Sequence, residues 1–266
     1  MASASNITSA DKISLGEFKR VLDQYPPLIK RISDEKGAKG GQRTLQELDN
    51  YRYNDALDVF NSNAKSRPMK LDDIKTLVEW KLRHGKFRPT LMNLVSSNDA
   101  NDAQQIVKQA LEAYKKDADI EATLGVLTKL RGIGPATASL LLAVHDATRV
   151  IFFADEAFWW LCCNGEQSPI KYNAKEYRTL CSKVDDLRSR LDVQASDVEK
   201  VAYVLMKQPA QPDQSHDVAP PKEAKQDTSP TTAKKEKKRK SNSKTEMVQD
   251  ATHEQPSLRR SKRVKI

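Results

Sequence analysis

Residues 127–142 have the sequence LTKLRGIGPATASLLL, in which two glycines separate two apolar segments. Apolar residues recur at helical spacing before the glycines, within 119–130, and small and apolar residues fill the segment after them. Pro135 directly follows the second glycine, and proline is favoured in the first turn of a helix because its missing amide needs no partner there. The spacing predicts a hairpin of two helices over 119–146.

The turn of this hairpin has the composition of a phosphate-binding site. Gly132 and Gly134 can adopt backbone dihedral angles that other residues avoid, and Ile133 between them would anchor the turn in the core. Backbone amides at a helix N-terminus point out of the helix and bind phosphate oxygens. We therefore predict that Gly132, Ile133, Gly134 and Ala136 bind a DNA phosphate. The alternative is an ordinary helical hairpin that uses glycine in its turn.

The rest of the chain up to residue 207 also carries helical patterns. Four pairs have the spacing of a capping box, in which a polar side chain and a carboxylate three residues later cap the start of a helix. The pairs are Ser14 with Glu17, Thr44 with Glu47, Asn173 with Glu176, and Ser196 with Glu199. Apolar stripes at helical spacing lie within 71–82, 106–114 and 177–191. The strand-like run 150–153 is too short to organise a sheet, so we predict an all-α fold with a single helical domain.

Charge and composition change near residue 208. The 266 residues include 45 Lys+Arg and 36 Asp+Glu, of which 14 and 8 lie in 208–266. That segment has no Trp, Tyr or Phe, and it would bury too little apolar surface to offset the entropy of ordering. We predict a flexible N-terminus over 1–11, a helical domain over 12–207 and a disordered basic tail over 208–266. Because most of the excess positive charge lies in the tail, the net charge of the helical domain is only weak evidence that this domain binds nucleic acid.

Two basic clusters lie in the tail, and such clusters act as nuclear-import signals or as arms that contact nucleic acid. Their cations are Lys234, Lys235, Lys237, Lys238, Arg239, Lys240, Arg259, Arg260, Lys262 and Arg263. The alternative is a solvated charge run without a specific role. The clusters predict a nuclear protein whose tail contacts DNA, or chromatin and repair proteins.

Cysteine and hydropathy patterns exclude several protein classes. The chain has three cysteines, Cys162, Cys163 and Cys181. Their odd number and the adjacency of two of them disfavour a disulfide framework, and their spacing is not that of a zinc site. We predict no metal and no cofactor. The first residues lack the apolar core of a secretory signal, and no apolar run approaches the roughly 20 residues of a membrane span, so no membrane partner is expected.

A carboxylate follows the hairpin closely along the chain. Asp155 comes at the end of the apolar run 150–154 and before a helix predicted over 156–163. Aspartate is a favoured helix cap, so capping is one role for this residue. A carboxylate beside a phosphate-binding turn would also stand next to the nucleotide to which that phosphate belongs. The two roles are compatible.

Residues 127–160 resemble the core of the helix-hairpin-helix DNA glycosylases, also known as the HhH-GPD superfamily. In that family the hairpin leads, through a helix and a short apolar segment, to an essential aspartate at the start of another helix. Gly132-Ile133-Gly134 followed by Asp155 reproduces this order and spacing. The resemblance implies that Asp155 is ionised, stabilises positive charge on the sugar of a flipped-out damaged nucleotide, and orients the attacking water.

Two features depart from the family pattern. Bifunctional members carry a lysine nucleophile in the second helix of the hairpin, where this chain has Ala136, so the resemblance implies a monofunctional N-glycosylase, if an enzyme at all. The residues around the aspartate, 153–158, also differ from the usual flanks. The alternative function is a catalytically inert module that keeps the fold for DNA or protein contact in a chromatin or repair complex.

A second candidate contact lies at 80–89, WKLRHGKFRP, where cations alternate with aromatic residues. Such a segment suits contacts with a DNA backbone and stacking on a base. The predicted DNA contacts are Lys81, Arg83, Lys86, Arg88 and, in the hairpin turn, Arg131, with Phe87 or Trp80 as the residue that stacks on a base. The alternative is a helix that ends at Gly85, with cations at its C-terminus and aromatic residues in its core.

Overall fold

A computed structural model describes residues 7–61 and 67–207 of the chain. The α-helices of these residues are α1 Leu15–Leu22, α2 Tyr25–Lys36, α3 Leu45–Asn50, α4 Ala56–Phe60, α5 Leu71–His84, α6 Leu91–Ser96, α7 Ala100–Asp117, α8 Ile120–Leu127, α9 Pro135–Ala143, α10 Asp155–Cys162, α11 Ala174–Leu191 and α12 Ala195–Lys207. A π-helical turn, Tyr51–Asp55, joins α3 to α4. The described residues form one helical body without a strand, which confirms the predicted all-α fold.

The helical body begins before residue 12, where the sequence placed its start. The carbonyl of Thr8 accepts a hydrogen bond from the Trp160 indole at 2.9 Å. The carbonyl of Ala10 accepts one from the Arg190 guanidinium at 2.6 Å. These contacts attach 7–11 to α10 and α11. Residues 1–6 and the predicted tail with its two basic clusters lie outside the described part of the chain.

Local capping accounts for several helix starts. Thr44 with Glu47 and Asn173 with Glu176 form capping boxes in full, as predicted. The Ser14 hydroxyl accepts from the backbone amide three residues later, so this cap forms on one side. The predicted cap at Ser196 is wrong, because α12 begins one residue earlier and its first amides donate to carbonyls at 147 and 148.

Glu199, predicted to complete that cap, lies instead in the core and is 5% exposed. Its carboxylate accepts hydrogen bonds from the Tyr53 hydroxyl at 2.9 Å and the Phe152 amide at 2.6 Å. It also pairs with the fully buried guanidinium of Arg52 at 3.4 Å. Burial raises the pKa of Glu199, while Arg52 and the two donors favour the ionised form. This buried carboxylate fixes the backbone just before α10.

The apolar stripes pack largely as predicted. The apolar stripe of α5 is buried throughout and consists of Leu71, Ile74, Leu77, Val78 and Leu82. The stripes of α7 and α11 include residues that are only partly buried, at the edge of the core. The partly buried stripe residues are Ile106, Leu111 and Cys181. Among the described helices, none is long and apolar enough to cross a membrane.

Candidate nucleic-acid interface and catalytic carboxylate

The turn between α8 and α9 forms where the sequence predicts it. Helix α8 ends at Leu127 rather than at residue 130, because the next amides, at 129 and 130, bond to carbonyls only three residues back. Ile133 is buried, as predicted. Gly132 has a φ of +77°, and a Cβ there would lie 3.0 Å from both Leu94 Cβ and Val95 Cγ2. Glycine is therefore required by the backbone conformation and by the close approach of α6.

Gly134 occupies a different environment from Gly132. It is the N-cap of α9, it is exposed, and a Cβ added to it would meet no atom within 4 Å. Its carbonyl accepts the amides of Thr137 and Ala138. The N–H groups of Gly134 and Ala136 donate to no group within 7–61 and 67–207. Two amides at the start of α9 therefore remain available to an anion.

Asn98, just after α6, fixes the turn from the side. Its Oδ1 accepts from the Arg131 amide at 2.8 Å, and its Nδ2 donates to the Arg131 carbonyl at 3.0 Å. The side chain of Arg131 is exposed. Both hydrogen bonds use the backbone of Arg131, so its guanidinium takes no part in them.

Asp155 is the first residue of α10, and Ala154 takes the N-cap position. The predicted capping role of Asp155 is wrong, since among the described residues its carboxylate accepts from no helix amide. Its Oδ1 instead accepts a hydrogen bond of 2.5 Å from the Tyr172 hydroxyl. The side chain is partly exposed. Burial, followed by the hydrogen bond and the charge of Asp155, raises the pKa of Tyr172.

Two cations lie close to this carboxylate. The Arg88 guanidinium lies 5.8 Å from the centre of the Tyr172 ring. Lys81, on α5, is partly buried. Burial and, to a smaller extent, the charge of Arg88 lower the pKa of Lys81 to about 8, against the opposing effect of the Asp155 charge. The site thus combines one carboxylate, one phenol and two cations.

Side chains from three helices hold the segment that leads to Asp155. The Tyr177 hydroxyl donates to the Ile151 carbonyl at 2.9 Å, and the Glu199 carboxylate accepts from the Phe152 amide at 2.6 Å. The Ser139 hydroxyl accepts from the Phe153 amide at 2.9 Å. These side chains take the place of a neighbouring strand for the extended run 150–153.

Ser139 also connects the turn to the carboxylate. Its hydroxyl donates to the Ala136 carbonyl at 3.0 Å while it accepts from the Phe153 amide. Asp155 follows Phe153 by two residues, each spanning at most about 3.6 Å, so its backbone lies within roughly 13 Å of the Ala136 carbonyl. The hairpin turn and the backbone that carries Asp155 therefore lie close together.

The loop 85–90 between α5 and α6 carries the other predicted DNA contacts. Lys86 and Arg88 are exposed, and Phe87 is 68% exposed. Arg83 lies elsewhere, because its guanidinium donates to the Gly37 carbonyl at 2.5 Å. Arg88 thus lies near Asp155 through Tyr172, whereas Phe87 and Arg83 line one cavity between α5 and α6.

The aromatic residues after Asp155 belong to the core. Phe158 and Trp160 are buried, and Trp159 donates its indole N–H to the Ser168 carbonyl at 2.8 Å. Glu156 is buried and pairs with Lys207 at 2.8 Å, so the two adjacent carboxylates diverge. None of these side chains joins Asp155 in an acid–base pair.

Asp155 lines neither of two cavities found among the described residues. One, of about 620 Å³, lies beside α7 and reaches His145, and the other, of about 810 Å³, lies between α5 and α6 and reaches Arg83 and Phe87. In the same part of the chain no group of three or more His, Cys, Asp or Glu is placed to hold a metal ion, and the three cysteines are free thiols.

Comparison with profiles of protein families, with curated proteins and with solved structures found no match for this chain. The likeness to helix-hairpin-helix glycosylases stays a prediction based on residues 127–160.

Proposed function

We propose that this protein binds DNA through the turn between α8 and α9 and acts as a monofunctional DNA N-glycosylase of the helix-hairpin-helix type, with Asp155 as the catalytic carboxylate. The observation that carries the proposal is the short connection between two kinds of group. The Ala136 carbonyl, in the turn whose Gly134 and Ala136 amides are unbonded, lies within roughly 13 Å of the backbone of Asp155, whose partly exposed carboxylate no helix amide occupies.

The first step of the proposal is capture of a DNA strand by its phosphates. The two free amides at the start of α9 provide the anion site, and Arg131 adds a positive charge beside it. Exposed Lys86 and Arg88 add positive charge, and Arg88 lies over the ring of Tyr172, which donates to Asp155. Helix α6 connects these regions, and its six residues span only about 9 Å. A strand held at the turn therefore reaches Asp155 within a few nucleotides.

The second step is loss of a base from a nucleotide that has left the stack. As the C1′–N bond breaks, its electrons go to the departing base and positive charge develops on the sugar. The Asp155 carboxylate stabilises that charge and orients a water. The water oxygen bonds to C1′, and one of its protons passes by way of the carboxylate to the departed base. Tyr172 donates to Oδ1, which leaves Oδ2 to face the sugar. Exposed Phe87 suits the gap that the extruded base leaves.

The location and the partners of the protein are also proposals. The basic clusters of the tail support a nuclear protein that contacts chromatin or repair proteins as well as DNA. These clusters lie outside the described residues, so sequence alone supports this part.

Base release from damaged duplexes tests the catalytic proposal. The full-length protein, Asp155→Asn and Asp186→Asn are compared on a panel of duplexes that each carry one damaged base. We expect release by the wild type and a fall of about 100-fold or more for Asp155→Asn, because the charge that opposes the developing cation is lost. Asp186 is exposed on α11 and makes no hydrogen bond with the described residues, so its variant controls for the charge change.

A catalytically inert DNA-binding module is the second candidate function. It is favoured because neither of the two cavities includes Asp155 and because Tyr172 already occupies one carboxylate oxygen. Tight binding without base release on every duplex of the panel would decide for this candidate.

DNA binding itself is tested at the turn with Gly134→Asp. Aspartate is a good N-cap, so α9 is retained while the new charge repels a phosphate. We expect affinity for duplex DNA to fall by about tenfold, which corresponds to roughly 1.4 kcal/mol. Gly16→Asp places the same charge in the first turn of α1, where space is open, and serves as the control. Equal affinity of the two variants would reject the phosphate site.

A further inference from the structure

The cavity between α5 and α6 has no part in the proposed chemistry at Asp155. It measures about 810 Å³, and residues of the loop 37–44 complete its lining. Cavities of this size hold small organic groups. Its side chains are of three kinds, which together point to one class of ligand: an exposed aromatic ring, two arginines and an unpaired carboxylate.

The apolar part of the cavity includes Phe87. This ring is 68% exposed, the largest exposed fraction among the large apolar side chains of the described residues. Met92 of α6 is partly buried and Leu82 of α5 is buried, and both line the same cavity. An exposed flat ring beside aliphatic side chains suits a planar ligand such as a nucleobase, because aromatic rings stack on one another.

The two arginines of the cavity are held in place by hydrogen bonds. Arg43 Nη1 donates to Thr76 Oγ1 at 3.0 Å, and Arg83 Nη2 donates to the Gly37 carbonyl at 2.5 Å. Neither arginine forms an ion pair with a carboxylate of the described residues. Since a guanidinium has five N–H donors, each of them keeps donors for a further acceptor. Fixed guanidinium groups with free donors are well suited to phosphate oxygens.

Glu79 is the unpaired carboxylate of the cavity. It is partly buried on α5 and makes neither a hydrogen bond nor an ion pair with any described residue. Asp72, the other acid of the lining, pairs with Lys75 at 3.0 Å. A carboxylate repels phosphates, but it accepts a hydrogen bond from the exocyclic amine of a base such as cytosine. Thymine has no such amine, so Glu79 would distinguish between the two bases.

We propose that this cavity binds one unpaired nucleotide of a DNA strand. Its base stacks on Phe87 and donates its exocyclic amine to Glu79. The adjoining phosphate lies against Arg43 and Arg83. A base enters such a cavity only after it has left the stack and its pairing partner. The protein therefore favours single-stranded DNA, and within it the bases that carry an amine. A duplex still binds through the hairpin turn, but opening a further base pair costs affinity.

The inference rests on the proposed function and specifies its substrate as DNA with unpaired bases. Asp155 does not line the cavity, so the nucleotide bound there is not the one that would lose its base. Phe87 and Arg88 are consecutive, and the Arg88 guanidinium lies 5.8 Å from the ring of Tyr172, which donates to Asp155. A strand bound at Phe87 thus lies one residue from a cation of the candidate catalytic site.

Affinities for two homopolymers test the inference. The full-length protein is titrated with labelled single strands of deoxycytidine and of thymidine, each about 12 nucleotides long. Both strands carry the same charge, so the basic tail contributes equally to both affinities. We expect the cytosine strand to bind about threefold to tenfold more tightly, because only cytosine donates an amine to Glu79.

Glu79→Ala should change the two affinities in opposite directions. The cytosine strand loses its acceptor, while the thymine strand no longer meets a repelling charge, so the preference falls to about onefold. A merely structural loss would weaken both strands alike. Asp186→Ala removes the same charge from the exposed face of α11 and should keep the wild-type preference.

Phe87→Leu keeps an apolar side chain but removes the flat ring. We expect it to weaken both single strands by about tenfold and a duplex of the same length by less than about twofold, because paired bases do not reach the ring. An equal loss for single strands and duplex would contradict the proposed role of the cavity.

Each other result has a defined meaning. Equal affinity of the wild type for the two homopolymers, or a preference that survives Glu79→Ala, overturns the inference. The wild-type preference does not depend on the folding of any variant. Where that preference is missing but Gly134→Asp still weakens DNA binding, the proposed function stands without the inference. Absence of binding to every strand and duplex rejects both.

Discussion

The Tyr172 hydroxyl donates a hydrogen bond of 2.5 Å to Oδ1 of Asp155 and is the group that orients this carboxylate. Tyr172 itself adopts a left-handed backbone conformation, with φ of +54°, seventeen residues further along the chain. A residue held in this uncommon conformation next to the carboxylate suggests that the orientation of Asp155 matters.

Removal of the Tyr172 hydroxyl changes the orientation of the Asp155 carboxylate without changing its charge. We expect Tyr172→Phe to lower base release by about tenfold to 100-fold, because Asp155 keeps its charge but loses its fixed position. The free energy of unfolding should fall by only about 1 kcal/mol, since the site is partly exposed. Single-turnover base release and denaturant unfolding measure the two effects. Unchanged release at saturating DNA would mean that Tyr172 plays no part in positioning the carboxylate.

Gly132 and Gly125 should respond to alanine with opposite signs. Gly132→Ala places a Cβ 3.0 Å from α6 atoms at a positive φ, so we expect a loss of about 1–3 kcal/mol in the free energy of unfolding. Gly125→Ala, in open space within α8, should add about 0.5–1 kcal/mol. Chemical denaturation checks both. Equal stability of the two variants would contradict the close packing of the turn on α6.

Local patterns explain why much of the fold was predictable. The apolar spacing within 71–82 and the caps at Thr44 and Asn173 depend on neighbours in sequence, and each forms in the structure. The turn at Gly132 is predictable for the same reason. By contrast, Glu199 shows the spacing of a cap but pairs with Arg52, which lies 147 residues away. No short-range pattern reveals such a partner.

The candidate site was predictable only in its central members. Asp155 and the turn glycines stand in one recognisable stretch, but Tyr172 and Ser139 act through contacts that tertiary packing creates. The cations of 80–89 form one sequence pattern, and the structure divides them between two surfaces. Lys81 is near Asp155, while Arg83 bonds to the backbone of the 37–44 loop.

Phe87 should contribute to DNA binding without contributing to stability. It is 68% exposed in the loop 85–90, so its removal costs the folded state little apolar contact. Stacking of a base on an aromatic ring contributes about 1–3 kcal/mol, and we expect Phe87→Ala to weaken binding of abasic or single-stranded DNA by that amount. Leu15→Ala, which removes a 39% exposed side chain from α1, is the matched control. Equal affinity of the two variants would exclude stacking at Phe87.

His145 should make stability depend on pH in a defined direction. It is buried beside Phe60, with Nδ1 3.0 Å from the carbonyl of that residue. Burial lowers its pKa to about 4 from 6.5, and the Phe60 carbonyl acts in the opposite direction. Because the folded form resists protonation, the stabilising contribution is present above pH 6.5 and is lost as the pH falls towards 4.

Comparison of the wild type with His145→Asn isolates the contribution of the imidazole to stability. Carboxylates such as Glu199 titrate in the same way in the two proteins, so their effect cancels. The constant cost of the substitution cancels when the difference in unfolding free energy between wild type and variant is followed with pH. We expect this difference to shrink by about 2 kcal/mol from pH 7 to pH 5, since only the wild type must keep a buried imidazole neutral. Urea denaturation at both pH values measures it. A difference that stays constant would show that His145 titrates alike in the folded and unfolded chains.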